Sequence, residues 1–301
     1  MTEKKFSHIP VLLKETIDFL AVRRGGTYVD ATLGLGGHSY EIARQIGGEG
    51  KLIGFDKDPA ALELARKRLS EPPVELQGDW PTIRYEQGSF AQIGELLEAG
   101  SVDGLMADLG VSSLQLEDAS RGFSFQAEGP LDMRMDPHEG MTAEQVVNRV
   151  DEQTLADLIY EFGEERRSRR IARAIVRARP VRSIKQLVDV ISAAAPTMKS
   201  ERGRIHPATR TFQAIRIFVN RELDDLKALL ESLPKVLKPG GRVAIISFHS
   251  LEDRIVKDAI RDGAKAGIYE VLTKKPVTAT EIEIDRNPRS RSAKLRAAGR
   301  R

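Results

Sequence analysis

The chain has 301 residues, of which 41% are hydrophobic and 30% are charged, and its formal net charge is +3. This composition is ordinary for a globular protein and argues against disorder. The absence of cysteine excludes disulfides and thiolate zinc sites. The apolar runs are too short to span a bilayer, and the polar residues 1–10 lack the apolar core of a signal peptide. We therefore expect a cytoplasmic protein that does not bind a membrane.

The first half of the chain alternates short β-branched segments with helical patterns, which is typical of a parallel sheet with crossover helices. The predicted strands are residues 27–31, 51–55, a short one ending near Gln87, and 102–107. A glycine-rich turn precedes a helix over residues 38–46, and Asp58 caps a helix that begins at Pro59. A loop rich in Gly, Ser and Asp then runs to Pro137.

From residue 138 to 207 the chain shows amphipathic helical patterns and no strand pattern; the predicted helices include 143–150, 153–162 and 184–195. We interpret this stretch as an all-helical domain inserted into a discontinuous sheet domain formed by residues 1–137 and 208–301. A long helix is predicted over residues 209–232, followed by a turn at 237–242 and a buried strand at 243–248. A helix at 251–261 and weaker strand patterns at 268–273 and 293–295 complete the sheet domain.

The loop Asp30-Ala31-Thr32-Leu33-Gly34-Leu35-Gly36-Gly37-His38 lies between a predicted strand and a predicted helix. Glycines there allow close backbone approach, and a helix N-terminus offers N–H groups to a ligand. Asp56 ends the next strand, twenty positions after Gly36, where a carboxylate can accept hydrogen bonds from ribose hydroxyls. The combination predicts a nucleotide site; the alternative is a tight turn that binds nothing.

The type of nucleotide is indicated by the loop itself. A dinucleotide site favours G-x-G-x-x-G facing a pyrophosphate, whereas this loop reads G-x-G-G-H and keeps Asp30 at the strand end. Asp30 would repel a pyrophosphate but suits the amino group or sulfonium of S-adenosylmethionine. Methyl transfer is therefore favoured over two alternatives, a nucleotide-binding oxidoreductase and a non-catalytic RNA-binding or assembly factor.

Several longer motifs carry a family resemblance, among them Gly36-Gly37-His38-Ser39, Asp108-Leu109-Gly110-Val111-Ser112-Ser113, Gly129-Pro130-Leu131-Asp132-Met133-Arg134-Met135 and Ser247-Phe248-His249-Ser250-Leu251-Glu252-Asp253-Arg254. With them the chain resembles the bacterial small-subunit ribosomal RNA cytosine-N(4) methyltransferase family (RsmH/MraW). The resemblance implies an α/β fold, a class I methyltransferase Rossmann-like sheet with an inserted helical domain. It also implies S-adenosylmethionine as cofactor and methylation of a decoding-region cytosine in 16S RNA, either naked or within an assembled subunit. The sequence does not indicate an oligomeric state.

The family's cofactor residues, carried over motif by motif, are Gly36, Gly37, His38, Asp56, Phe90, Asp108 and Gln115. Phe90 follows the third strand, where it could pack on adenine or simply join the core. Asp108 closes the fourth strand at the edge where open α/β sheets bind ligands, and the alternative is a helix cap. Gln115 depends on the resemblance alone.

The catalytic residues are less clearly indicated. The amine of cytosine is a poor nucleophile, so transfer needs in-line positioning and acceptors for its N–H groups. Asp108 is the first candidate for this role and His249 the second, with a loop-capping role as the alternative for His249. Asp108-Leu109-Gly110-Val111 lacks the proline pair and aromatic residue found in many amino-group methyltransferases. The five histidines show no ligand spacing, so no metal is expected, and segment 132–136 is interpreted as a salt-bridged loop.

Eight arginines and no acidic residue lie between Arg166 and Arg182. On a helical wheel the arginines 166, 169, 170, 173 and 177 lie opposite an apolar stripe, and we call these five the arginine stripe. We predict that it contacts RNA phosphates, chiefly through Arg166, Arg170, Arg173 and Arg177. The tail from residue 286 to 301 has seven basic residues and no acid, which suggests a second phosphate contact. Solvation, or packing against acidic segments such as Glu222–Asp225, is the alternative for both.

Overall fold

The computed structural model describes residues 9–126, 128–196 and 206–301. The strands are β1 Thr27–Asp30, β2 Lys51–Asp56, β3 Thr82–Gln87, β4 Val102–Asp108, β5 Leu237–Ser247, β6 Tyr269–Val271 and β7 Lys294–Arg300. The helices are α1 Leu13–Leu20, α2 Gly37–Ile46, α3 Pro59–Leu69, α4 Ile93–Leu96, α5 Ser113–Glu117, α6 Ala143–Arg149, α7 Glu152–Gly163, α8 Ser168–Arg177, α9 Ile184–Ala194, α10 Pro207–Asn220, α11 Glu222–Val236, α12 Ser250–Lys265 and α13 Glu281–Arg286.

The seven strands form one sheet in the order β3-β2-β1-β4-β5-β7-β6. Strands β1 to β5 are parallel, and β7 runs antiparallel to both β5 and β6. Because parallel strands end at the same edge, Asp30, Asp56 and Asp108 are all placed at the carboxyl edge of the sheet. The predicted α/β sheet with a helical segment between its fourth and fifth strands is confirmed.

The chain divides into two compact units, a sheet unit (Met1–Gly110 and Leu223–Arg301) and a helical unit (Val111–Glu222). The helical unit is wider than the predicted insertion at 138–207, because it includes the loop after Gly110 at one end and α10 at the other. Its apolar residues form a core of their own, to which α7, α8 and α9 each contribute buried aliphatic side chains.

Local signals account for many of the element boundaries. Asp58 accepts the N–H of Ala60 at 3.1 Å and Pro59 occupies the first turn of α3, as predicted. In α8 the buried residues Ile171 and Ile175 lie on the core side. In the sheet, β4 is almost entirely buried, which fits an apolar strand between two parallel neighbours.

Two predicted elements on the return to the sheet differ in their bounds from those in the structure. The long helix predicted at 209–232 is two helices, because Arg221 adopts a left-handed conformation with φ of 55° and ends α10. The turn predicted at 237–242 lies inside β5, where the pairing with β4 shifts between Val102–Leu237 and Gly104–Arg242. Residues 238–241 lie opposite Asp103 alone and Gly240 has a φ of 78°, so the predicted turn is present as an irregularity within the strand.

None of the helices in the described ranges is both long enough and apolar enough to span a membrane.

Candidate active site

The loop after β1 is held against the end of β2. The N–H of Gly34 donates to Asp56 Oδ2 at 2.7 Å, and Gly36 has a φ of 71° at the cap position of α2. A Cβ on Gly37 would lie 2.5 Å from Pro10 Cγ, while one on Gly36 would meet Ala65 at 3.4 Å. Gly36 is therefore required by its backbone conformation and Gly37 by close packing, in addition to any ligand.

Asp30 is a buried carboxylate at the end of β1. It accepts hydrogen bonds from Ser39 Oγ at 2.7 Å and from the N–H of Thr32 at 3.1 Å. Burial raises its pKa to about 6, although both hydrogen bonds favour the ionised form. From the sequence we expected Asp30 to repel a pyrophosphate, but we did not include it among the predicted site residues.

Asp56 receives two backbone N–H groups, from Gly34 and from Asp58 at 2.8 Å. Burial raises its pKa to about 6, and the nearby charges of Asp58 and Asp30 add to that shift. Each carboxylate oxygen has a backbone donor and retains a further lone pair. The side chain is partly exposed, so it can accept hydrogen bonds from a ligand such as ribose.

Asp108 has an unsatisfied atom at the centre of this edge. Its backbone N–H donates to Thr32 Oγ1 at 2.6 Å, but its buried Oδ1 has no hydrogen-bond partner within the described ranges. Burial raises the pKa of Asp108 well above its usual value, and the charges of Asp30 and Glu252 raise it further. A buried acceptor without a donor is unfavourable, and a ligand N–H or a cation would satisfy it.

His38 lies between the N-terminal segment and Asp108. Its Nε2 is 2.9 Å from the carbonyl oxygen of Val11, which can only accept, so Nε2 must carry the proton. Its Nδ1 is 3.9 Å from Asp108 Oδ2. The imidazole is buried beside the Asp108 carboxylate rather than facing solvent.

Phe90 begins a short 3₁₀ turn, Phe90–Gln92, directly after β3, and Ser89 caps this turn by accepting the N–H of Ala91 at 3.1 Å. The ring of Phe90 packs against the core of the sheet unit but is only partly buried. The core-packing alternative therefore describes one part of this side chain, and its remaining surface is open to a ligand.

His249 caps α12. Its Nδ1 accepts the N–H of Glu252 at 3.4 Å, while Glu252 Oε2 accepts the N–H groups of Phe248 and His249. Nε2 lies 3.1 Å from Glu252 Oε1 but makes no hydrogen bond to the described residues. The loop-capping alternative thus matches the observed geometry. Sequence reasoning missed Glu252, because histidine is not among the usual first residues of a capping box.

The remaining predicted residues belong to the helical unit. Gln115 forms a capping box with Ser112 at the start of α5, where its Oε1 accepts the N–H of Ser112 at 3.0 Å. Asp132 and Arg134 form a two-point ion pair, as expected for a salt-bridged loop.

The arginine stripe lies on the exposed side of α8 and just before it, and all five of its members are exposed. Arg173 pairs with Glu152 at 3.3 Å. The side chains of Arg166, Arg169, Arg170 and Arg177 have no partner in the part of the chain that the structure describes. A surface helix with one sign of charge and so few ion pairs is suited to an anionic ligand.

The basic tail is largely structural. Residues 294–300 form β7, and the buried Arg296 donates to Asp253 Oδ1 at 2.6 Å. Arg300 donates to the carbonyl of Leu237. The alternative of packing against an acidic segment therefore applies to Arg296, whereas Arg286, Arg289 and Arg291 stay exposed.

The profile of the MraW methylase family matches residues 5–301 of this chain. The chain belongs to the MraW methylase family. Among its relatives is the "Ribosomal RNA small subunit methyltransferase H" of Koribacter versatilis, 67% identical over 99% of this chain and 95% of the relative. The protein of the same name from Acidobacterium capsulatum is 65% identical over 97% of both chains. A solved structure of a putative rRNA methylase from Clostridium thermocellum covers 98% of this chain and 100% of its own, with a TM-score of 0.49 and 13% identity.

Membership of the MraW methylase family confirms the resemblance and the class I methyltransferase fold predicted from the motifs. S-adenosylmethionine carries a sulfonium and an ammonium charge, and the residues present fit such a ligand. Asp30, Asp56 and Asp108 place three carboxyl groups at one edge, where a bound cation would favour their ionised forms, and the unsatisfied Asp108 Oδ1 requires a donor or a cation. A pyrophosphate would be repelled by the same carboxylates.

Proposed function

We propose that this protein transfers a methyl group from S-adenosylmethionine to the exocyclic N4 amine of a cytosine in the decoding region of 16S ribosomal RNA. The observation that carries the proposal is the unsatisfied carboxylate oxygen of Asp108 among three acidic strand ends, in a chain of a methylase family. The name that the nearly full-length relatives share indicates small-subunit ribosomal RNA as the substrate. Such a substrate implies action in the cytoplasm, on naked RNA or on an assembled subunit.

In this proposal residues at the carboxyl edge of the sheet would hold the methyl donor. Asp56 accepts hydrogen bonds from the ribose, and Phe90 packs on the adenine. The backbone at Gly36, Gly37 and His38 lies along the methionine part. Gln115 is retained as a cofactor residue on family resemblance alone. When bound, S-adenosylmethionine supplies a methyl group on a positively charged sulfur, which makes that carbon electrophilic.

Asp108 is proposed to hold the amine of the cytosine. The amine lone pair is delocalised into the ring, so an acceptor that binds an N–H group helps to localise it on nitrogen. Methylation would make the nitrogen cationic and acidic. A carboxylate whose pKa is raised by burial is then a sufficient proton acceptor. His249, the second candidate predicted from the sequence, is the weaker one, because its Nδ1 accepts the N–H of Glu252 and its Nε2 therefore carries the proton and can only donate.

The arginine stripe is proposed to hold the RNA strand, with Arg166, Arg170, Arg173 and Arg177 on phosphates. Arginine suits this role because its planar guanidinium makes two-point contacts with phosphate oxygens. A base that reacts at its exocyclic amine must leave its stack, so contacts to the neighbouring backbone help to stabilise the displaced strand.

Two assays test the proposal. Calorimetry with S-adenosylhomocysteine and with NAD(H) separates a methyltransferase from an oxidoreductase, because only a methyltransferase should bind S-adenosylhomocysteine. Transfer of isotope-labelled methyl groups to naked 16S RNA and to isolated small subunits then separates an enzyme from a non-catalytic assembly factor. We expect the protein to bind S-adenosylhomocysteine and to methylate at least one of the two RNA substrates. A protein that does not bind S-adenosylhomocysteine and methylates neither substrate would overturn the proposal.

A further inference from the structure

One carboxylate oxygen joins two loops at the edge of the candidate site. Asp225, on α11, accepts a hydrogen bond from Ser89 Oγ through Oδ2 at 2.6 Å. The same oxygen lies 2.6 Å from Lys57 Nζ. The exposed fraction of the side chain is only 12% for Asp225 and 21% for Lys57. Sequence reasoning treated this acid as part of an acidic segment and assigned it no site role.

The two donors are the immediate neighbours of two proposed adenosine contacts. Lys57 directly follows Asp56 at the end of β2, and Ser89 directly precedes Phe90 at the end of β3. Ser89 Oγ also accepts the N–H of Ala91, so its orientation caps the turn that begins at Phe90. A backbone hydrogen bond from the N–H of Gly88 to the carbonyl of Asp56, 2.9 Å long, joins the same two strand ends.

We propose that Asp225 is a positioning residue that fixes the spacing of Asp56 and Phe90 and thereby sets the affinity for the adenosine part of the methyl donor. The inference rests on the proposed function, because it assumes that Asp56 and Phe90 contact adenosine. Asp225 acts through Lys57 and Ser89 and need not touch the ligand.

The physical reason is preorganisation. A charge-assisted hydrogen bond and a largely buried ion pair share one oxygen, so both loops are held relative to the same point on α11. Without the carboxylate charge, Lys57 loses this ion pair and Ser89 loses its charged acceptor, so the two loops are no longer held to the same point on α11. If the competent spacing of the two loops is then populated about one-tenth of the time, ligand affinity falls about tenfold.

The test compares Asp225→Asn with a matched control on the same helix, Asp224→Asn. Asp224 is exposed and lies 3.8 Å from an equally exposed Lys227, so its charge is not used in the site. Calorimetry measures the affinities of S-adenosylhomocysteine and of 5′-methylthioadenosine, which has the adenosine part but lacks the amino acid. We expect Asp225→Asn to weaken both by the same factor of about ten, and Asp224→Asn to change neither.

A folded Asp225→Asn variant that binds both ligands like the wild type would overturn the inference, as would a loss confined to S-adenosylhomocysteine. If that variant does not fold, Ser89→Ala takes its place, because it removes one of the two contacts and leaves α11 unchanged. The proposed function would fail in a different way. If the wild-type protein binds neither ligand, the assignment of S-adenosylmethionine as cofactor is wrong. If the wild-type protein binds both ligands but does not methylate RNA, the proposed reaction is wrong.

Discussion

The Asp56→Ala variant removes one side chain that has two separable roles. Its oxygens accept the N–H groups of Gly34 at 2.7 Å and of Asp58 at 2.8 Å, which holds the glycine loop against β2. In the proposed complex the same carboxylate accepts hydrogen bonds from the ribose. The variant should therefore lose both stability and cofactor affinity, in amounts that can be measured independently.

The magnitudes follow from these contacts. A hydrogen bond to a charged group contributes about 1.5–3 kcal/mol, which corresponds to a loss of affinity of about tenfold or more. The free energy of unfolding should decrease by about 1–3 kcal/mol, because two backbone N–H groups lose their acceptor. The decrease is not larger because burial already raises the pKa of Asp56 to about 6, so the variant also removes a poorly solvated charge.

The assay is calorimetry with S-adenosylhomocysteine together with urea unfolding, and Asp79→Ala is the matched control. Asp79 also holds a glycine loop, since it accepts the N–H of Gly48 at 2.7 Å and pairs with Arg24 at 2.7 Å. That loop precedes β2, at the amino end of the strand. The control should lose stability and retain affinity. If Asp56→Ala binds the ligand as tightly as Asp79→Ala does, the ribose assignment is wrong.

Three further outcomes are expected. Asp108→Asn should impair single-turnover methyl transfer more than cofactor binding, and near-normal turnover would move the amine-holding role to His249 or to backbone carbonyls. Affinity for S-adenosylmethionine should fall by about tenfold or more between pH 7 and pH 5, because the pKa values of Asp30 and Asp56 are both about 6 and their carboxylates must be ionised to hold a cation and to accept from the ribose. The affinity for S-adenosylhomocysteine, which lacks the sulfonium, should fall less over the same pH range. Equal pH profiles for the two ligands would contradict the charge argument. Replacing Arg166, Arg170 and Arg173 by glutamine should weaken RNA binding and reduce the slope of log affinity against log salt concentration by about two units. Lys185→Gln is the control, and an unchanged slope in the triple variant would contradict the prediction.

The ends of the parallel strands could be predicted from the sequence because each is marked by a local signal. Asp30, Asp56 and Asp108 each follow a β-branched or apolar run, and parallel topology then places them at one edge. The exposed arginine stripe followed from helical periodicity in the same way.

Other features depend on contacts between distant residues and left no local signal. Arg221 breaks the long helix with a left-handed conformation that arginine does not favour. The ion pair between Arg296 and Asp253 makes part of the basic tail structural, although the two residues are 43 positions apart. Asp225 reaches Ser89 across 136 positions, so no motif could connect it with the site.

Nucleoside mass spectrometry of 16S RNA from cells with and without this gene tests whether the protein methylates a decoding-region cytosine. We expect N4-methylated cytidine in the decoding region to be lost without the gene and to return with the wild-type protein, but not with Asp108→Asn. An unchanged level of N4-methylated cytidine in the strain that lacks the gene would contradict it.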